Sequence, residues 1–265
     1  MKNIIIKLIK FFVLKILYFN KKTKILLIDS LLRDPSYHID KAIYYIKEDQ
    51  LIDYNNSFYI IDIGAYDGGT SLYFRKEFPN NPIVAFEPNP KMLEQNKNTL
   101  LNQKIEILPY AVSDDASYVQ FNITNFAPSA SIMQPDDKSN IFKVTEKVTI
   151  QSITLDEVFL KKNQPDILLL KIDIQGAELK ALKGSIKTLQ KTRLIIIEMS
   201  NHEIYKNSCK YYEIDEFLIS QNFQILDLIP SLSAFDLKEY KKYNLFKFQT
   251  IEWNGIYCNL NYIKK

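Results

Sequence analysis

A doubly wound α/β fold built on a mostly parallel sheet is the architecture this sequence predicts, and three observations carry the expectation. Short apolar runs such as Phe58–Ile63 and Ile83–Phe86 end abruptly at Gly64 and Glu87, the pattern of strands buried on both faces. Helical signals alternate with these runs, and Asn89-Pro90 supplies an N-cap with a first-turn proline. A chain of 265 residues, 46% of them hydrophobic, is large enough to bury one substantial core.

Taken in order, residues 1–56 read as a helical extension: an apolar run at Ile4–Phe19, a break at Arg33-Asp34-Pro35-Ser36 and a second helix near Ile39–Gln50. The sheet domain then occupies 57–265. Its expected strands are Phe58–Ile63, Ile83–Phe86, Ile105–Val112, Asp166–Ile174, Leu194–Met199 and Phe223–Ile229. Leu179, Leu182, Ile186 and Leu189 fall at helical spacing, so Glu178–Leu189 should cover one sheet face. Tyr211, Tyr212 and Phe217 are spaced in the same way and are expected to be buried. Between about 117 and 155 the rhythm breaks into a β-hairpin insertion, Tyr118–Ile123 and Lys147–Ile153, with a polar loop at Ala127–Ser139. That insertion could cover a site. Its small, hydroxyl-rich stretch Ala127–Met133 either contacts substrate hydroxyls or is ordinary surface.

Charge excludes some partners. Thirty-four basic residues against thirty-one acidic leave +3, too little to draw a polyanion by long-range field, so no nucleic-acid partner is implied. Cys209 and Cys258 form no zinc spacing and suggest no disulfide framework, which suits the cytoplasm. Lys7, Lys10 and Lys15 interrupt the N-terminal run, which is also shorter than the ~20 residues of a spanning helix. Tyr18–Lys22 offers no small-residue cleavage site, so export is not expected. Two readings of residues 1–24 stay open. They form a basic amphipathic helix on the inner face of a membrane, with Lys21, Lys22 and Lys24 beside it, or a helix packed on its own domain or on the second subunit of a homodimer.

The strongest motif is Asp62-Ile63-Gly64-Ala65-Tyr66-Asp67-Gly68-Gly69-Thr70, at the end of the first strand. A glycine turn there lets backbone approach a ligand closely. It departs from the dinucleotide form G-x-G-x-x-G, and Asp62 would face a cation better than a phosphate. Glu87 ends the second strand 23 residues after Gly64, where an acid can accept hydrogen bonds from ribose hydroxyls. In this order the two elements point to a nucleoside ligand, and such ligands bind beyond the carboxyl ends of the strands.

Four segments together, Asp62-Ile63-Gly64-Ala65, Phe86-Glu87-Pro88-Asn89-Pro90, Thr154-Leu155-Asp156 and Lys171-Ile172-Asp173-Ile174-Gln175-Gly176-Ala177-Glu178, resemble the FkbM-type methyltransferases over roughly Phe58–His202. The resemblance implies the class I methyltransferase fold, which is Rossmann-like, and S-adenosylmethionine as cofactor. Asp62 and Gly64, with Ala65, Tyr66, Thr70 and Ser71 of the same loop and helix start, would then lie by the cofactor's methionine part. Glu87 and Pro88 would lie by its ribose, and the turn Ala111-Val112-Ser113-Asp114 by its adenine. It further implies O-methylation of a sugar, nucleotide-sugar or glycan-related small molecule. Gln175 stands where the family usually has Glu, so one carboxylate is missing.

Methyl transfer to a hydroxyl needs alignment and removal of a proton. Asp173 after the fourth strand and Glu198 and His202 at the end of the fifth are the candidates, His202 by its ordinary titration range. The same three could hold a divalent cation, Mg or Mn, that lowers the pKa of the hydroxyl. The structural alternatives are that Asp173 caps the next helix, Glu198 pairs with a surface lysine and His202 is solvated. Against a methyltransferase stand an NAD-dependent oxidoreductase, a nucleic-acid methyltransferase and a non-catalytic cofactor-binding protein. The first would need the absent G-x-G-x-x-G loop, and the second a basic surface.

Overall fold

The computed structural model describes residues 36–136, 141–233 and 250–264. The apolar run at 4–19 and its lysines, with the membrane and subunit contacts expected of them, lie outside the described residues. The chain falls into two compact units, Met1–Tyr37 and His38–Lys265, and the sheet and its helices belong to the second.

In chain order the elements are α1 (Tyr37–Lys47), β1 (Tyr59–Ile63), α2 (Gly69–Glu77), β2 (Ile83–Phe86), α3 (Pro90–Asn102), β3 (Ile105–Leu108), β4 (Ala111–Val112), β5 (Tyr118–Thr124) and β6 (Val144–Ile153). There follow α4 (Leu155–Lys161), β7 (Ile167–Ile172), α5 (Glu178–Lys183), α6 (Ile186–Leu189), β8 (Thr192–Ser200), α7 (Tyr211–Ser220), β9 (Phe223–Ser233) and β10 (Thr250–Asn259). Among the described residues the main sheet runs β3-β2-β1-β7-β8-β10-β9. The first five of these strands are parallel, and β10 is antiparallel to both β8 and β9.

Burial follows position. Every residue of β2 and β7 is buried, and four of five in β1, because helices on both faces exclude water from the middle of a parallel sheet. The edge strand β3 instead alternates, with Glu106 exposed between Ile105 and Ile107. Register sets the site: Ile63 pairs with Phe86 on one side and with Ile172 on the other, and Ile172 pairs with Ile197. One residue further along, Gly64, Glu87 and Asp173 therefore leave the sheet side by side, and Glu198 lies next in the row, still on β8 and paired with Asn254.

Several expectations need correction. Ile105–Val112 is not one strand, since Pro109 offers no N–H and the chain leaves the main sheet there; Ala111–Val112 pairs instead with β6. Strands β4, β6 and β5 form a second sheet, with β5 antiparallel to β6 as expected of the insertion. Glu178–Leu189 is two short helices. At Gly184 a Cβ would stand 2.1 Å from the Ser113 carbonyl oxygen, so the chain turns there, and the Asp156 carboxylate caps the restart by accepting from Lys187 and Thr188 N–H. Tyr211 and Tyr212 are exposed; they occupy the first turn of α7, whose core face is Ile214 and Leu218. The sequence reading also missed β10, which slots between β8 and β9 and closes the sheet.

Candidate active site

The row of strand ends opens into a cleft of about 980 Å³, open solvent at its mouth included, between the β1 and β2 loops and the insertion sheet. Its floor is the β1 turn. Gly64 takes φ +82°, and a Cβ there would meet the Asp173 carbonyl oxygen at 1.9 Å, so only glycine lets the β1 and β7 loops touch. The Gly64 and Ala65 N–H groups donate to the Phe86 carbonyl at 3.1 and 3.0 Å, which draws the β2 loop to the same place.

Two acids face this turn. Asp62 is fully buried; its Oδ2 accepts from Ser71 Oγ at 2.6 Å. Its Oδ1 stands 3.4 Å from Lys171 Nζ without a well-formed hydrogen bond. Burial raises its pKa, against the pull of Lys171 and Ser71. Glu87 is held by backbone: Oε2 accepts from Tyr66 N–H at 2.6 Å and Oε1 from Asn89 N–H at 2.7 Å. Burial pushes its carboxyl up to about 7 despite those bonds. A cofactor with a ribose and an adenine ring fits these residues. Glu87 is placed at the cleft to accept from ribose hydroxyls, and Phe86, Val112 and Phe121 line it with apolar surface.

Of the expected cofactor residues, Gly64, Ala65, Tyr66, Thr70, Glu87, Pro88, Ala111 and Val112 line the cleft. Asp62, expected there too, does not line it: it is fully buried, and the cation it faces is Lys171. Ser71 is buried with it and donates to it, and Ser113 is buried and donates to Asp114.

The opposite wall holds Asp173 and Lys171. Lys171 is 5% exposed, donates to the Gly64 carbonyl at 3.0 Å and lies 3.5 Å from Asp173 Oδ2. Burial would lower its pKa, but Asp173 and then Asp62 outweigh burial and keep it charged. Burial likewise opposes ionisation of Asp173, and Lys171, then Gln175, more than offset it, so this carboxyl titrates below its ordinary range. Glu198 goes the other way, raised well above its usual range by burial and then by Asp173 and Glu252.

Glu198 and His202 line a smaller neighbouring cavity with Glu178, Glu252 and Tyr205. Glu198 touches the main site through Gln175, whose Nε2 donates to it at 2.8 Å and to Asp173 Oδ1 at 3.1 Å. His202 does not join Asp173: its electrostatic neighbours are Lys210, Asp136 and Glu203, and burial lowers its pKa. Among the described residues no group of three or more His, Cys, Asp or Glu side chains is placed to hold a metal ion. The space between Asp173 and Glu198, where one was expected, is bridged by an amide.

Three residues here escaped the sequence reading. Lys171 had a signal, a lone charge inside the apolar run Leu168–Ile172. His38 on α1 and Tyr205 had none. His38 lies close enough to Lys171 and Asp173 to feel both, and burial and then Lys171 lower its pKa to about 4. Thr154-Leu155-Asp156 proves structural: Thr154 caps α4 reciprocally with Glu157, and Asp156 caps α6.

The Methyltransferase FkbM domain matches residues 62–225, more than half of the chain. The 2-O-methyltransferase NoeI of Sinorhizobium fredii is 27% identical over 183 residues, 65% of this chain and 71% of that protein. The hexuronic acid methyltransferase AglP of Haloferax volcanii is 25% identical over 119 residues, 44% of this chain and 46% of that protein. The crystal structure of an FkbM methyltransferase from Methylobacillus flagellatus KT aligns with TM-score 0.49 at 16% identity, over 80% of this chain and 47% of that one. The chain belongs to the FkbM family of S-adenosylmethionine-dependent methyltransferases.

Proposed function

We propose that this protein methylates a hydroxyl group of a sugar or glycan-related small molecule, with Asp173 accepting the proton. The observation that carries the reading is the placement of Asp173: it lines the same cleft as Glu87, and Lys171 and Gln175 hold the half-buried carboxyl below its ordinary titration range. S-adenosylmethionine, when bound, supplies a methyl group on a sulfonium, an electrophilic carbon that a hydroxyl oxygen can displace in line. Thr70, Glu87, Ala111 and Val112 would hold it, and the β1 turn would fix its depth in the cleft. The rest of the work is alignment and proton removal. The hydroxyl proton passes to the Asp173 carboxylate as the new carbon–oxygen bond forms, and the carbon–sulfur electron pair stays on sulfur as S-adenosylhomocysteine.

The oxygen acceptor is supported by the name of the 2-O-methyltransferase relative and the sugar class by that of the hexuronic acid methyltransferase relative. Between Phe121 and Ile132 the insertion gives the cleft an acceptor-facing wall of apolar and small side chains. The experiment is mass-spectrometric detection of methyl transfer from S-adenosylmethionine to a panel of hexoses, hexuronic acids and their oligosaccharides. A methyl ether on at least one glycan, lost in Asp173→Asn, is expected. Transfer to none of them by protein that binds S-adenosylhomocysteine rejects the acceptor class.

A further inference from the structure

The Asp173 carboxylate is restrained at both oxygens, and only one restraint comes from its own strand. Lys171, two residues earlier on β7, stands 3.5 Å from Oδ2. Gln175 Nε2 donates to Oδ1 at 3.1 Å and shares its second N–H with Glu198 Oε2 at 2.8 Å. The amide's Oε1 faces the Tyr205 hydroxyl at 3.1 Å, an orientation that turns its N–H groups, and not its oxygen lone pairs, toward the ionised Asp173 carboxylate.

Tyr205 is itself held from two directions. Its hydroxyl proton is shared with the Ser129 carbonyl oxygen at 2.8 Å, and Ser129 belongs to the turn of the insertion that borders the cleft. Its ring lies over Gly176, where a Cβ would come within 3.1 Å of a ring carbon. Gln175 holds φ +60°, a left-handed conformation that a non-glycine residue keeps only when its surroundings impose it. A strained backbone, an oriented amide and a buried tyrosine thus converge on one carboxylate.

We infer that Gln175 and Tyr205 are positioning residues that aim the Asp173 carboxylate into the cofactor cleft and tie its aim to the insertion through Ser129. The inference rests on the reading of Asp173 as proton acceptor. It also gives the Gln175 departure a role: a neutral donor joins two acids at a point where a third carboxylate would repel both. The charged and titratable groups around Asp173 are Lys171 on the same strand, Asp62 on β1, Glu198 on β8, Glu178 on α5, Glu252 on β10 and His38 on α1. Gln175 donates an N–H to Oδ1, Lys171 forms an ion pair at Oδ2, and the Glu198 carboxyl is itself within hydrogen-bonding reach of Asp173.

The test is carbon-13 NMR of protein labelled at aspartate carboxyl carbons, with the Asp173 signal assigned by its loss in Asp173→Asn. Gln175→Leu should move that signal, and Tyr205→Phe should move it less although Tyr205 does not touch Asp173. Ser117→Ala, a polar deletion remote from the cleft, should leave it in place. In turnover, Gln175→Leu should lower kcat about ten- to a hundredfold, as misplacement of a reacting group does, with the KM for S-adenosylmethionine unchanged. An Asp173 signal unmoved by Gln175→Leu overturns the inference, as does a kcat equal to wild type in that variant. A wild type that methylates no acceptor rejects the transferase reading alone, because the carbon-13 signal still decides whether the bridge aims the carboxylate.

Discussion

The two walls of the cleft are built by different means. On the cofactor side the key carboxylate, Glu87, is fixed by main-chain N–H groups of Tyr66 and Asn89, and the turn beneath it by main-chain bonds to Phe86. On the side proposed for the acceptor, the Asp173 carboxylate is held by side chains: Lys171, Gln175 and, through Gln175, Tyr205 and Glu198. Backbone donors survive substitution of their own side chains, whereas the side-chain donors around Asp173 can be removed one at a time.

The contrast can be broken most sharply at Asp173. Asp173→Asn keeps the shape and removes the proton acceptor, and kcat should fall by about two to four orders of magnitude, the range for a lost general base, with S-adenosylhomocysteine affinity within a fewfold of wild type. Equal losses in kcat and affinity would mean the two walls are not separable. Next in size is Gly64→Ala, which forces a Cβ onto the Asp173 carbonyl oxygen. It should cost about 3 kcal/mol or more in urea unfolding, as substitutions at strained or close-packed backbone positions do; a change near zero would deny that the β1 turn and the β7 loop meet there. Glu87→Ala removes a charge-assisted acceptor and should weaken S-adenosylhomocysteine binding by about 1.5–3 kcal/mol without altering the fold.

Smaller effects sharpen the picture of the acceptor side. Glu252 is raised to about 8, by burial first and then by Asp173 and Glu178, and Glu178 to about 7, by burial first. The folded state therefore binds these protons more tightly than the unfolded chain. That stabilisation is complete below the ordinary carboxyl range near 4.5 and is lost as the pH climbs through 7 to 8. The melting temperature should fall from pH 5 to pH 8.5, and Glu252→Gln should reduce that fall; an unchanged slope would remove Glu252 from the buried acid group. Least of all, chelation with EDTA should leave turnover unchanged, because the Gln175 amide already joins the two acids that a cation would have linked.

How much could be read from the sequence follows the same division. The Asn89-Pro90 helix start was legible because its cap depends on residues two positions apart, and the Gly64 turn and Glu87 because each directly follows an apolar strand. β1, β2, β7 and most of β8 were legible because burial on both faces leaves apolar runs; Pro109, which ends β3 early, was the warning that Ile105–Val112 could not be one strand. The acceptor side was not legible in the same way. Tyr205 reaches Ser129 across 76 positions and Gln175 across 30, and His38 comes to Asp173 from α1. His202 looked like the base because of its ordinary titration range, yet it lines the neighbouring small cavity and not the cleft that holds Asp173. β10 was hidden because its half-polar sequence Thr250–Asn254 does not give a continuous apolar run.

The most direct measurement is calorimetric titration of S-adenosylhomocysteine into wild type, Glu87→Ala and Asp173→Asn. Tight binding by wild type, weakened more than about tenfold by the Glu87 change and left nearly intact by the Asp173 change, is the predicted result. No binding by folded wild-type protein free of co-purified ligand, or an equal loss in both variants, would contradict a cleft with one wall for the cofactor and another for the proton.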